Sequence, residues 1–320
     1  MSTILITGGA GFIGSSVAKE MLAIGHDVVV LDHKKTPASI DSINEDITDI
    51  EGDVRNPKLV KEMFTTHSPD GVIHLAAVSR VVWGEQNPGL CKETNVQGLS
   101  NVFEAIRVAG IKPWLIFGSS REVYGEPASL PVKENFPKQP MNVYGRTKLE
   151  GEQMVHSFSK EHRLASHILR FSNVYGNEHD ILDRVIPRFV LAGLRGECLE
   201  IHGGGQLVDF THISDTVAGI RSSARYLDSF VNNGGAGKLY CEDLHLLPGR
   251  GCTLQQVVET IMDYLDTRLD VNLTEPRNYD VKRFVGCPSK AKDILDFQAK
   301  ISIEEGIEQT IDCYREAFGL

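Results

Sequence analysis

Two patterns alternate along the first half of the chain. Short, nearly uninterrupted apolar runs, such as Ile4-Leu5-Ile6, Val28-Val29-Val30-Leu31 and Leu115-Ile116-Phe117, are separated by longer stretches in which apolar residues recur at helical spacing. A run that is apolar on both faces of its pleat suits a strand covered by helices on either side, as in a parallel sheet. The pattern predicts strands over 3–7, 27–31, 49–53, 71–74, 113–118 and 165–171. Helices are expected over 11–24, 57–67, 89–109 and 142–162. The order is βαβ throughout, so the expected fold class is α/β, a Rossmann-type doubly wound parallel sheet.

Beyond about residue 173 the alternation loosens. Gly203-Gly204-Gly205, the stretch 232–237 and "LLPGRGCTL" are turn-rich. This predicts a smaller C-terminal α/β lobe that closes over a substrate. The expected division is 1–173 and 174–320, with some elements of the second part returning to the first.

Composition narrows the partners rather than the fold. The apolar fraction of 41% and charged fraction of 24% are those of a globular protein, but the formal net charge is −10. That charge opposes the broad basic surface that nucleic acid requires. No apolar run is long enough to span a bilayer, and no basic leader precedes the first strand, so no membrane association is expected. Cys91, Cys198, Cys241, Cys252, Cys287 and Cys313 are scattered without metal-ligand spacing. They predict reduced thiols, no metal site and a cytoplasmic location.

The candidate chemistry begins at "ILITGGAGFIGSS", where Gly9, Gly11 and Gly14 stand in G-x-G-x-x-G spacing between the first strand and the first helix. Glycines there permit a tight turn and let backbone N–H groups approach a pyrophosphate at the positive helix end. Asp32 ends the next strand, about 20 residues on, where a carboxylate accepts hydrogen bonds from adenosine ribose hydroxyls. It would repel a 2′-phosphate, which favours NAD over NADP; His33, Lys34 and Lys35, which follow it, weaken that preference. Tyr144 and Lys148 are four apart and share one helix face. A phenol of pKa about 10 is a poor base, and a nearby ammonium stabilises its phenolate. Such a pair removes a proton from a hydroxyl while hydride leaves for a nicotinamide.

Together with "GDVRN", "HLAAVSRV", "NVQGLSNVFEA", "SSREVYGE", "RFSNVYG", "RVIPRF", "DFTHISD" and "PSKAKDILDF", these motifs run almost end to end. The chain thereby resembles the extended short-chain dehydrogenase/reductases of the nucleotide-sugar epimerase/dehydratase type, UDP-glucose 4-epimerase-like. The resemblance implies NAD as a retained cofactor, a nucleotide diphosphate sugar such as a UDP-sugar as substrate, and a homodimer through the helices at 95–109 and 142–162. It implies that Gly8, Gly11, Phe12, Ile13, Gly14 and Asp32 hold the cofactor, with Asp53 and Val54 bordering the adenine. Leu75, Ala76 and Ala77 would line the same cleft, and Asn95 would brace the active-site helices. Ser120 matches the catalytic Ser/Thr beside Tyr144. Ser79, Arg121, Asn173, Val185, Ile201 and Arg283 fall where the family holds its substrate.

Two features depart from the family pattern. Val208 stands where an arginine commonly reaches the diphosphate, leaving Arg283 as the expected partner. The segment "YCEDLHLLPGRG" reads as an overlong connection. The fate of a 4-keto intermediate turns on Arg121 and Glu122. Rotation and return of hydride is C4 epimerisation and needs no further acid or base. Deprotonation at C5 by Glu122 would make the enzyme a dehydratase, but Arg121 occupies the acid position, and a guanidinium is a carboxylate clamp rather than a proton donor. Epimerisation is therefore the leading expectation. A dehydratase or decarboxylase using Glu122, a reductase that releases its cofactor, and a non-catalytic NAD-binding regulator stand as alternatives. Arg121 has a structural alternative too, pairing with Glu122 or Glu126.

Overall fold

A computed structural model of the chain describes residues 2–34 and 47–320. Its central sheet contains β1 (Thr3–Thr7), β2 (Asp27–Asp32), β3 (Ile47–Glu51), β4 (Gly71–His74), β5 (Trp114–Ser120), β6 (Ala165–Phe171) and β10 (Tyr240–Leu246). The order across the sheet is β10-β6-β5-β4-β1-β2-β3, and every pairing is parallel. The strand order reverses beside β1, the switch point at which such sheets bind ligands beyond their C-terminal strand ends.

The uniformly apolar runs are explained by the two layers. Ile4 and Ile6 of β1, with Val28 and Val30 of β2, join one core with Val17 and Met21 of the helix Phe12–Ala23 and Ile220 and Leu227 of the helix Ile213–Phe230. Leu5, Val29 and Leu31 point the other way, into a core with Phe64 of the helix Pro57–His67 and Val102 of the helix Gly98–Ala109. Each such side chain contributes roughly 1.5–3 kcal/mol on burial, upper-bound figures that set the register of the sheet. A third core, with Phe189, Val257, Ile261 and Ile311, organises the second lobe. Its strands are β7 (Asn173–Tyr175), β8 (Leu199–His202), β9 (Leu207–His212), β11 (Gly251–Thr253), β12 (Val271–Thr274) and β13 (Arg283–Phe284). β9 pairs with β7, β11 and β13, and β8 pairs with β12.

Three details differ from the sequence expectation. The helix expected over 89–109 is broken into Pro88–Lys92, a π turn at Glu93–Gln97, and Gly98–Ala109. The wider turn carries Asn95, whose side chain is claimed by partners outside the helix. The third strand lies two residues earlier than 49–53, at Ile47–Glu51, and its last bond to β2 runs from the Gly52 nitrogen to the Asp32 carbonyl at 2.7 Å. The supposed overlong connection is largely β10, parallel to β6 along its whole length, with Leu244 and Leu246 fully buried.

Candidate functional site

The glycine turn closes on itself before the first helix starts. Gly8 has φ +75° and donates to the Leu31 carbonyl at 2.8 Å, while Gly11 donates back to the Gly8 carbonyl at 3.2 Å. A Cβ on Gly8 would lie 2.6 Å from the Ala76 nitrogen, and one on Gly14 would lie 2.0 Å from the Gly8 oxygen. The turn is thus a cradle of bare backbone against the end of β4, fit for a pyrophosphate. Phe12 and Ile13 begin the helix. Asp32 is buried, and its Oδ2 accepts from the Ala10 nitrogen at 3.0 Å, which ties the turn to the end of β2. Oδ1 faces His33 Nδ1 at 2.9 Å; Lys34 follows, and Lys35 lies outside the described residues.

The flanking residues have structural bonds of their own. Asp53 receives the Arg55 guanidinium on both oxygens, and that pairing holds its carboxyl below the usual range. Val54 is buried against Gly98, and its carbonyl accepts from Asn101 at 3.0 Å. Leu75, Ala76 and Ala77 are half-buried beyond β4, where the Leu75 nitrogen donates to the Thr7 carbonyl. Asn95 holds the next step of that loop: Oδ1 accepts from the Val78 nitrogen at 2.7 Å and Nδ2 donates to Thr147 Oγ1 at 2.9 Å. It therefore links the loop to the helix Val143–His162, which carries Tyr144 and Lys148. Ser79 is exposed.

The N-terminus of that helix is pinned by Asn142, which is fully buried. Asn142 Oδ1 caps the Gly145 nitrogen at 2.7 Å, and Glu85 accepts from the Val143 nitrogen at 2.7 Å. These bonds seat Tyr144 beside Ser120, the last residue of β5. Burial pushes the Tyr144 phenol up, with the hydrogen bond to Ser120 acting against it, and Glu122 and Arg184 exert smaller opposing influences. Lys148 Nζ donates to the Gly118 carbonyl at 2.7 Å and lies 5.9 Å from the Tyr144 ring centre. Burial brings that ammonium down to about 8. Burial, rather than the lysine charge, dominates the phenol.

Arg121 and Glu122 are joined to one another. Arg121 Nη2 is 3.0 Å from Glu122 Oε1, and Asn142 Nδ2 donates to Glu122 Oε2 at 2.7 Å. Glu122 is buried with both oxygens engaged. The Arg121 guanidinium lies over the Phe284 ring at 5.8 Å, with Nη1 buried and unpartnered. Asp209 feels its charge; burial nevertheless pushes the Asp209 carboxyl up to about 7, while the Gly286 nitrogen donates to it at 2.6 Å.

The remaining expected residues lie in the second lobe. Asn173 opens β7 and donates to the Asp209 carbonyl; Val185 opens the helix Val185–Arg195; Ile201 is buried in β8. Arg283 is exposed on β13 beside Leu207, and Val208 is buried in β9. Sequence reasoning passed over Arg184 and Arg188, one helical turn apart in "DRVIPR". Arg184 pairs with Asp180 at 3.0 Å and acts on Tyr144. Arg188 is half-buried with Nε unpartnered, and neighbouring charges on Arg277 and Arg80 oppose its own. The i, i+4 spacing of the two arginines was the available signal.

Known proteins match this arrangement over its whole length. The family model described as the NAD dependent epimerase/dehydratase family matches residues 4–234. A putative UDP-glucose 4-epimerase of Methanocaldococcus jannaschii is 30% identical over 312 residues, covering 97% of each chain. The crystal structure of the Thermotoga maritima UDP-glucose 4-epimerase with UDP-glucose is similar at a TM-score of 0.88 and 28% identity, covering 99% of both chains. The Bacillus cereus UDP-glucuronic acid 4-epimerase, in complex with UDP-glucuronic acid and NAD, is similar at 0.86 and 27%, covering 98% of this chain and 99% of that one.

Proposed function

Because this chain belongs to the NAD-dependent epimerase/dehydratase family, we propose that it is an isomerase inverting C4 of a nucleotide diphosphate sugar, with Ser120, Tyr144 and Lys148 as its catalytic residues. The observation that carries this reading is the meeting of Ser120 with Tyr144 at the end of β5, with Lys148 one helical turn on. The bare-backbone turn around Gly8, Gly11, Phe12, Ile13 and Gly14 and the buried Asp32 fit NAD, with Asp53, Val54, Leu75, Ala76, Ala77 and Asn95 along the same strand ends. Bound NAD supplies the acceptor that takes hydride from C4 and gives it back. Ser120 hydrogen-bonds the reacting hydroxyl, and Tyr144 removes its proton, with Lys148, an ammonium below about pH 8, stabilising the phenolate. After the 4-keto sugar turns over, Tyr144 returns the proton to the oxygen at C4.

The surroundings of Glu122 favour epimerisation over the alternatives within the family. Both oxygens of Glu122 are engaged, by Arg121 and by Asn142, which favours a positioning part for this carboxylate over that of a base at C5. Its part is to fasten the loop after β5 to the helix that carries Tyr144. Glu122→Gln is accordingly expected to leave kcat for epimerisation within about tenfold, with product mass equal to substrate mass. The same change should lower stability by about 1–3 kcal/mol in thermal unfolding, since an amide keeps the shape but not the charge paired with Arg121.

For the substrate we favour a UDP-sugar, the class named for the Thermotoga and Bacillus enzymes. Its diphosphate meets positive charge at Arg184 and Arg188, with Arg283 further out and Ser79, Asn173, Val185 and Ile201 as uncharged neighbours. We place the enzyme in the cytoplasm as a homodimer through the helices Gly98–Ala109 and Val143–His162. Its six cysteines are free, and among the described residues no helix is long and apolar enough to cross a membrane. The test is incubation with UDP-, GDP-, CDP- and dTDP-sugars. A product of unchanged mass inverted at C4, with no net cofactor consumption, is expected. Loss of water or carbon dioxide, or stoichiometric reduction of NAD, would refute the reading.

A further inference from the structure

Away from the glycine turn and Tyr144, three side chains form a second chemical constellation. Cys241 and Asp243 lie two apart on β10, on the same side of the strand. Between them, from the helix Val143–His162, stands His156. Cys241 Sγ is 3.3 Å from His156 Nδ1, and His156 Nε2 is 2.9 Å from Asp243 Oδ1. The other Asp243 oxygen accepts from the fully buried Arg170 guanidinium, so the carboxylate is itself held in place. A nucleophile, an imidazole beside it and a carboxylate that orients the imidazole are thus in sequence.

The setting allows reagents to arrive. Cys241 is only partly buried, and the His156 side chain is 46% exposed. Contact with Asp243 first, and with Cys241 second, pushes the imidazole up to about 10, so at neutral pH it is an imidazolium whose positive charge stands beside Sγ. The other cysteines have different surroundings. Burial pushes the Cys91 and Cys252 thiols up, Cys313 faces the Glu178 carboxylate, and Cys287 donates to Ser289. Cys198 is exposed and serves as the reference for an accessible thiol.

We propose that Cys241 is a covalent modification site for soft electrophiles, peroxides included, with the His156 imidazolium stabilising its thiolate and Asp243 as the positioning residue for that imidazolium. With an alkyl iodide the thiolate, its proton already lost to solvent, forms the Sγ–C bond, the C–I bond breaks and iodide leaves, while His156 keeps its proton. With hydrogen peroxide the Sγ–O bond forms and the O–O bond breaks. The sulfur is oxidised to a sulfenic acid, and the departing oxygen takes a proton from the His156 imidazolium and leaves as water.

The experiment treats the native protein with limiting iodoacetamide at pH 7 and reads each cysteine separately by peptide mass spectrometry. Cys241 is expected to react at least about tenfold faster than Cys198. H156Q should bring Cys241 down to the Cys198 rate and leave Cys198 unchanged. In a parallel arm, hydrogen peroxide followed by dimedone should tag Cys241 in the wild type and not in H156Q. Buried Cys91 gauges folding, since it stays unlabelled while the chain is native, and H156N repeats the test if H156Q exposes it. Equal rates for Cys241 and Cys198 in the wild type, or an undiminished Cys241 rate in a folded His156 variant, would overturn the proposal.

Discussion

Tyr144→Phe is expected to lower kcat by about 10²–10⁴, which is some 3–5 kcal/mol of transition-state stabilisation, while KM for the nucleotide sugar stays within a few-fold. The ring is buried and remains, so the core contact is unchanged. What disappears is the phenol hydrogen-bonded to Ser120, which is the group that would carry the C4 proton out and back. A loss confined to kcat marks an interaction made in the transition state rather than in binding. Stopped-time assays with product separation read it. A variant that epimerises at the wild-type rate would remove Tyr144 from the mechanism and direct attention to another acid or base in the site.

Much of the first half of the chain was readable because its strands are buried on both faces. β1, β4 and β6 were expected at 3–7, 71–74 and 165–171 and stand at those residues. β10 was missed because its polar positions are satisfied by partners remote in sequence. His245 bonds Tyr124, and Asp243 is held by His156 and by Arg170, which also binds Glu152. Local hydropathy cannot register such pairings, so Glu242-Asp243 read as connection. The π turn at Asn95 was hidden for the same reason, since its partners are Val78 and Thr147.

At the candidate site the limit was of another kind. Motif spacing singled out Tyr144 and Lys148, and family resemblance Ser120, but neither could reveal what Glu122 touches. The Arg121 and Asn142 contacts depend on the helix Val143–His162 docking its first turn against the loop after β5, where a Cβ on Gly145 would lie 2.6 Å from the Glu122 carbonyl oxygen. Similarly, Val208 drew attention to the missing arginine of β9 and to exposed Arg283. Half-buried Arg188, on a different element, has an unpartnered nitrogen, as does Arg121. A diphosphate needs positive potential within reach rather than one particular strand.

Gly14→Ala is expected to cost about 3 kcal/mol or more and to strip the protein of retained NAD. Its Cβ would stand 2.0 Å from the Gly8 carbonyl oxygen and 2.8 Å from the Gly8 carbonyl carbon, both backbone atoms of a turn that cannot swing aside like a side chain. Relief requires that the turn and the helix Phe12–Ala23 separate. The turn is already committed through Gly8 to Leu31 and through Ala10 to Asp32. Overpacking of a constrained site typically costs about 1–3 kcal/mol, and a contact to main chain lies at the upper end or beyond. For a chain of this size the melting temperature should fall by on the order of several degrees. Gly205→Ala is the matched control, because a Cβ there meets nothing within 4 Å. Absorbance of the cofactor released on denaturation and a melting curve read both effects. A Gly14→Ala protein that keeps stoichiometric NAD and the wild-type melting temperature would contradict the assignment of this turn as the pyrophosphate cradle. A fall in stability with cofactor retained would instead make the glycine a packing requirement and leave phosphate recognition to the helix N-terminus alone.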